Sequence, residues 1–96
     1  MSDLDVIAVI EAKSGSEGEV KAALQELATA TRAEEGCISY ELKVAADKPT
    51  TFITVEKWRS AQDLDGHMNS AHIAKAFDVA GPHLAAAPGI YPLADA

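Results

Sequence analysis

Residues 4–12 are apolar at both parities, with Val6, Ala8 and Ile10 on one face of an extended segment and Ile7 and Val9 on the other. A strand apolar on both sides is one that is covered on both sides. Ser14-Gly15-Ser16 marks a turn, and Ser16 with Glu19 has the spacing of a capping box. Val20, Ala23, Leu24, Leu27, Ala28 and Thr31 then recur at helical intervals, while Glu17, Lys21, Gln25, Glu26 and Arg32 fall on the opposite face. Gly36, just past Glu35, is placed to cap the end of that helix. Cys37 to Val44 predicts a second strand, with Ile38, Tyr40, Leu42 and Val44 on one side. Asp47-Lys48-Pro49 supplies a hairpin connection into a third strand, Thr50 to Trp58.

The third strand alternates strictly. Phe52, Thr54, Glu56 and Trp58 share one face, and Ile53 and Val55 the other. Ser60 with Asp63 then has N-cap spacing, and Leu64, His67, Met68 and Ala71 fall on one helical face. Asn69-Ser70 interrupts the helix, and Ser70 caps a second short one carrying Ile73, Ala76, Phe77 and Ala80. Gly81-Pro82 ends it, and Ile90-Tyr91 before Pro92 predicts a short late edge strand. The order β-α-β-β-α-β is the split unit of the ferredoxin-like α+β fold, an antiparallel four-stranded sheet with its helices on one face. The other face, with its own Ile and Val residues, needs a cover. A second copy of the same sheet is the simplest one, so the expected assembly is a homodimer through the sheet face.

Ninety-six residues hold one core, so residues 1–96 are expected to form a single domain. A hydrophobic fraction of 48% is rich for so short a chain and fits the expectation of association. Eight basic against fifteen acidic residues give a net charge of −7, which argues against nucleic acid and against anionic membrane surfaces. Cys37 is the lone cysteine, so there is no internal disulfide and no thiolate metal cluster. The first residues lack a signal-peptide pattern, and no apolar run approaches the roughly 20 residues that span a bilayer. A cytoplasmic protein is expected.

Candidate chemistry gathers on the third strand and the helix after it. A carboxylate on a buried face beside aromatics is costly unless it is partnered. A helix folded back on its own strand brings His67 toward Glu56 and Trp58. This predicts that Glu56 and His67 share one cavity, within hydrogen-bonding or one-water reach. Glu56 is then either a satisfied structural carboxylate or a general base, and His67 its partner or the base itself. Trp58 is either a core aromatic or a wall against a planar substrate, and Tyr40 on the neighbouring strand is placed to donate a hydrogen bond. His72 follows His67 by five residues and does not share its helical face, which suits the rim of the site or a turn cap. With His83 these histidines show no metal-ligand spacing, and no metal is expected.

These residues resemble the antibiotic biosynthesis monooxygenase family. The resemblance is carried by Glu35-Gly36-Cys37-Ile38-Ser39-Tyr40-Glu41, by Phe52 with Glu56 and Trp58, and by Leu64, His67, Ser70 and His72 at family spacing. It implies two ferredoxin-like sheets paired into a dimeric α+β barrel. The family includes quinol monooxygenases, haem-degrading enzymes and an isomerase of phosphorylated signalling sugars. Members that oxidise polycyclic phenols need no metal or flavin and surround the substrate with a tryptophan, an asparagine and a tyrosine. Trp58 matches the tryptophan, while Thr54 and Leu64 stand at the other two positions. At the positions that serve haem degradation stand Ala8, His67 and Phe77, and none matches.

The expected function is a cofactor-independent monooxygenase acting on a quinol or other electron-rich phenol. Glu56 or His67 removes a proton, Trp58 and Phe52 hold the ring, and Tyr40 or Thr54 binds an oxygen atom. Leu64, His72 and Phe77 complete the substrate surroundings. Two alternatives stand beside it: an isomerase of a small keto compound using the Glu56/His67 pair, and a non-catalytic dimeric small-molecule-binding or stress protein.

Overall fold

The computed structural model describes residues 3–96. The chain runs β1 (Leu4–Glu11), α1 (Glu17–Arg32), β2 (Cys37–Ala45), β3 (Lys48–Trp58), α2 (Ala61–Met68), α3 (Ala71–Ala80), a 3₁₀ turn (Gly81–His83) and β4 (Gly89–Pro92). The sheet order is β2-β3-β1-β4, with every neighbouring pair antiparallel. This is the ferredoxin-like α+β arrangement that the periodicities predict.

Ser60 and Ser70 cap α2 and α3 as expected, each side chain accepting from the backbone N–H three residues on. Ser16 stands at the N-cap of α1 as expected, but its side chain makes no cap hydrogen bond. Its hydroxyl instead pairs with His83 Nδ1 at 3.1 Å, which ties the start of α1 to the 3₁₀ turn. Gly36 does not cap α1, since that helix ends at Arg32. It is a site of close approach: a Cβ there would collide with the Asp63 side chain. Asp63 is itself pinned by the Arg59 fork at 2.8 and 2.9 Å and by the Ser60 hydroxyl at 2.8 Å. These hydrogen bonds, with Arg59 foremost, hold its carboxyl below the usual carboxylate range. Only glycine lets the start of β2 pass the first turn of α2 here.

A bulge at Cys37/Ser39 breaks the expected alternation of β2, because Cys37 opposes Trp58 while Ser39 already opposes Lys57. Ile38 is the extra residue and is exposed, so it does not share the face of Tyr40 and Leu42. Val44, near the far end of this edge strand, is exposed too.

Beneath the helices the core divides in two. Ala8, Ile10, Val20, Leu24, Leu27, Phe52, Ile73 and Ala76 form one cluster. Val6, Ala28, Tyr40, Trp58 and Leu64 form the other. The helix-free face carries Ile7 opposite Val55 and Tyr91, and Val9 opposite Ile53. Val55 is 42% and Tyr91 55% exposed, so the second apolar side of β1 and β3 has no cover within one chain. No helix among the described residues is long and apolar enough to cross a membrane.

Candidate active site

The strict alternation of β3 sets Thr54, Glu56 and Trp58 in a row on the helix-covered face, all of them buried. Residues two apart on a strand sit about 7 Å from one another, near enough for long side chains to meet. Trp58 Nε1 donates to Glu56 Oε1 at 2.8 Å, and Thr54 Oγ1 donates to Oε2 at 2.5 Å. Both carboxylate oxygens are therefore occupied. The charge is buried because its own strand supplies the donors.

His67, on the last turn of α2, lies over Trp58 with ring centres 4.6 Å apart and planes tilted by 39°. The Tyr40 ring centre is 5.9 Å from that of His67. The expected direct partnership of His67 with Glu56 is absent: Nδ1 bonds instead to Glu34 Oε2 at 2.6 Å. Glu34 lies in the turn between α1 and β2, and the same oxygen takes His72 Nε2 at 2.7 Å. Glu34 is the functional candidate that sequence reasoning missed. It sits outside any periodic segment, beside a second glutamate, and nothing in the pattern separates the two. Glu56 and His67 do line one cavity, with Ala8, Ile10, Tyr40 and Phe77 among its walls. Its volume is about 20 Å³. A water needs roughly 10–15 Å³, so as folded this space suits a water and not an aromatic ring.

The remaining expected site residues divide. Leu64 packs beside Trp58. Phe77 is partly buried and lines the cavity. Phe52 belongs to the other core cluster, six residues along the strand from Trp58, so the two aromatics do not hold one ring between them. His72 stands off the cavity, on a groove of about 340 Å³ between α1 and α3 lined by Ala23, Leu27, Ala76 and Val79.

Burial, and then the negative charge of Glu56, push the Tyr40 hydroxyl well above the ordinary tyrosine range, an effect that Thr54 and Arg32 offset only in part. Tyr40 is accordingly a proton-bearing donor toward the cavity. The folded state holds this proton more tightly than the unfolded chain, so the associated stability is whole below pH 10 and falls as pH rises from there through the folded value. Denaturant titrations at pH 9 and pH 11 should show a smaller alkaline loss for Tyr40→Phe than for the parent. An equal alkaline loss in Tyr40→Phe would refute the assignment. Burial, chiefly, also raises the Cys37 thiol, helped by Glu34 and Glu56, which leaves it protonated and unreactive.

A ferredoxin-like fold with an apolar open sheet face and a Glu–Trp–His cluster under its helices defines a class of small α+β proteins. Within that class the sequence pattern of the antibiotic biosynthesis monooxygenase family matches residues 4–79. The chain belongs to that family. Over 71 residues, 74% of this chain and 69% of the other, it is 37% identical to the Mycobacterium tuberculosis protein named "Putative monooxygenase Rv0793". It is 32% identical over 81 residues, 84% of each chain, to "Putative monooxygenase YcnE" of Bacillus subtilis. The solved structure of Rv0793 superposes with a TM-score of 0.89 at 32% identity, covering 99% of this chain and 96% of that one. The structure of PA3566 from Pseudomonas aeruginosa gives 0.89 at 28% identity, covering 100% and 96%.

Proposed function

We propose that the protein is a monooxygenase that oxidises a quinol or similar electron-rich phenol without a cofactor, using His67 as general base. The observation that carries this reading is the Glu34–His67 contact at 2.6 Å behind a ring that borders the cavity. With Glu34 ionised, its oxygen accepts from Nδ1–H, so a neutral His67 keeps its lone pair on Nε2. Triplet dioxygen reacts slowly with closed-shell organics. Removing a phenolic proton makes the substrate a better reductant. One oxygen atom then enters the ring and the other leaves as water, with four electrons supplied by a quinol that becomes a hydroxyquinone. Glu56 serves this scheme by fixing the indole of Trp58 as a wall, and Tyr40 donates to a substrate oxygen. The family match and the names of the relatives support oxygenase chemistry.

A substrate of this size needs a pocket of roughly 300 Å³ or more. Met68, Phe77 and Ile90 border the present cavity and must part to admit it. The small volume of this cavity, beside a groove of about 340 Å³ between α1 and α3, favours a second reading, a non-catalytic protein that binds a small molecule in that groove. Oxygen uptake with product analysis on a panel of quinols, keto acids and phosphosugars separates them: oxygen-consuming turnover of a quinol supports the oxygenase, a rearranged keto acid or phosphosugar formed without oxygen supports an isomerase, and no product at all supports the binding protein.

The proposed working unit is a homodimer joined through the helix-free sheet face, because the half-buried Ile7, Val9 and Ile53 and the exposed Val55 and Tyr91 form one apolar surface there. An obligate interface of this kind buries upwards of about 2,000 Å² in total. Light scattering should give twice the chain mass at micromolar concentration, and Val55→Glu should shift it to the monomer. A monomeric parent would sink the dimer.

A further inference from the structure

The contact of Glu34 with His72 has no part in the scheme above. Glu34 Oε2 accepts from His67 Nδ1 at 2.6 Å and from His72 Nε2 at 2.7 Å, and the three ligand atoms lie within 4.8 Å of one another. They come from three separate segments: the α1–β2 turn, the last turn of α2 and the start of α3. The two histidines are near in sequence, but Glu34 lies 33 and 38 positions from them and is brought there by the fold.

We propose that Glu34, His67 and His72 form a binding site for one divalent first-row transition-metal ion, of which Zn²⁺ is representative, with water completing the coordination. Two imidazoles and one carboxylate are donors of intermediate softness, suited to this class of ion. Ca²⁺ and Mg²⁺ prefer all-oxygen shells and do not fit. Ligand bonds of about 2.0–2.2 Å set neighbouring donors of a tetrahedral site about 3.3 Å apart. Shared hydrogens now hold Glu34 Oε2 closer than that to each ring nitrogen, so the ion must displace two protons and lengthen each Glu34–His separation by about 0.6 Å. Glu34 can yield: its side chain is 21% exposed and sits on a turn. His67, 2% exposed and held against Trp58, supplies the rigid end. His72, 27% exposed, opens the site to solvent. The chain's net charge of −7 favours a cation's approach.

Occupancy has a consequence for the reaction, and this part rests on the base role given to His67. A metal on Nδ1 leaves the ring hydrogen on Nε2, so the group facing the cavity changes from acceptor to donor. The ion should therefore inhibit turnover.

The test is calorimetric titration of chelator-treated, tag-free protein with ZnCl₂ at pH 7.5, with thermal unfolding in parallel. The expected result is one ion per chain with Kd of about 10 µM or tighter and a raised Tm. His72→Ala and Glu34→Gln should each weaken binding more than about tenfold. His83→Ala, paired with Ser16 at the far end of α1, should leave it unchanged. His72 is partly exposed, so its removal should not endanger the fold. No saturable binding below about 100 µM, or binding that survives His72→Ala and disappears in His83→Ala, overturns the site. In that case the cluster is a hydrogen-bond network only. Tight, His72-dependent binding that leaves quinol turnover untouched keeps the site and overturns the base role of His67, so the two ideas fail separately.

Discussion

His67→Asn is expected to lower quinol turnover about 10²–10⁴-fold with the fold intact, the usual effect of removing a general base. The asparagine amide reaches the position of Nδ1 and can still donate to Glu34, which takes the imidazole's bond at 2.6 Å. What disappears is Nε2, the only ring atom with a lone pair for a substrate proton in the proposed tautomer. The loss should fall on kcat with little change in KM, because the group acts in the transition state. Glu56→Gln should cost less than about tenfold in turnover. The glutamine oxygen can accept from Trp58 Nε1, and its amide can donate to Thr54 Oγ1, so both existing contacts have a replacement. Oxygen uptake at saturating substrate decides between the two. If Glu56→Gln is dead and His67→Asn active, the base is Glu56.

Much of this geometry was legible in the pattern of the chain. The alternation of β3 placed Thr54, Glu56 and Trp58 on one face. The helical phase of Leu64 and His67, with the Ser60 cap, set the imidazole over the indole. Both signals are local and periodic, so a sequence carries them well. Glu34 was not legible, because turn residues have no period and its partners lie 33 and 38 positions away. The bulge that expels Ile38 was likewise hidden: one extra residue changes register without changing composition. The pattern at Gly36 shows a helix ending, but not the Asp63 carboxylate pressed against it. Phe52 has the parity of Trp58 yet serves a different cluster. Parity fixes a face, not a distance along it.

Trp58→Ala is expected to cost about 3–5 kcal/mol of stability, the largest effect of any single truncation in this core. Trp58 is fully buried between the sheet and α2, against Val6, Ala28, Tyr40 and Leu64. Removing it opens a void and also takes the Nε1 donor from Glu56, leaving one oxygen of a buried carboxylate without a partner. It further releases His67 from its stacking contact. A domain of about 100 residues is stable by roughly 5–15 kcal/mol in total, so the variant should lie near the limit of folding at 37 °C. Trp58→Phe separates the causes, since it keeps most of the volume and loses the N–H. Its cost should be about 1–3 kcal/mol, and Glu56→Leu on that background should recover part of it, because the carboxylate then no longer needs the donor. Urea titration followed by far-UV circular dichroism measures all three, as the chain has a single tryptophan and its fluorescence is lost with the substitution. A cost below about 1 kcal/mol for Trp58→Ala would mean that the indole lines an open, adaptable pocket instead of a packed core. In that event the room for a substrate beside His67 would already exist in the resting protein.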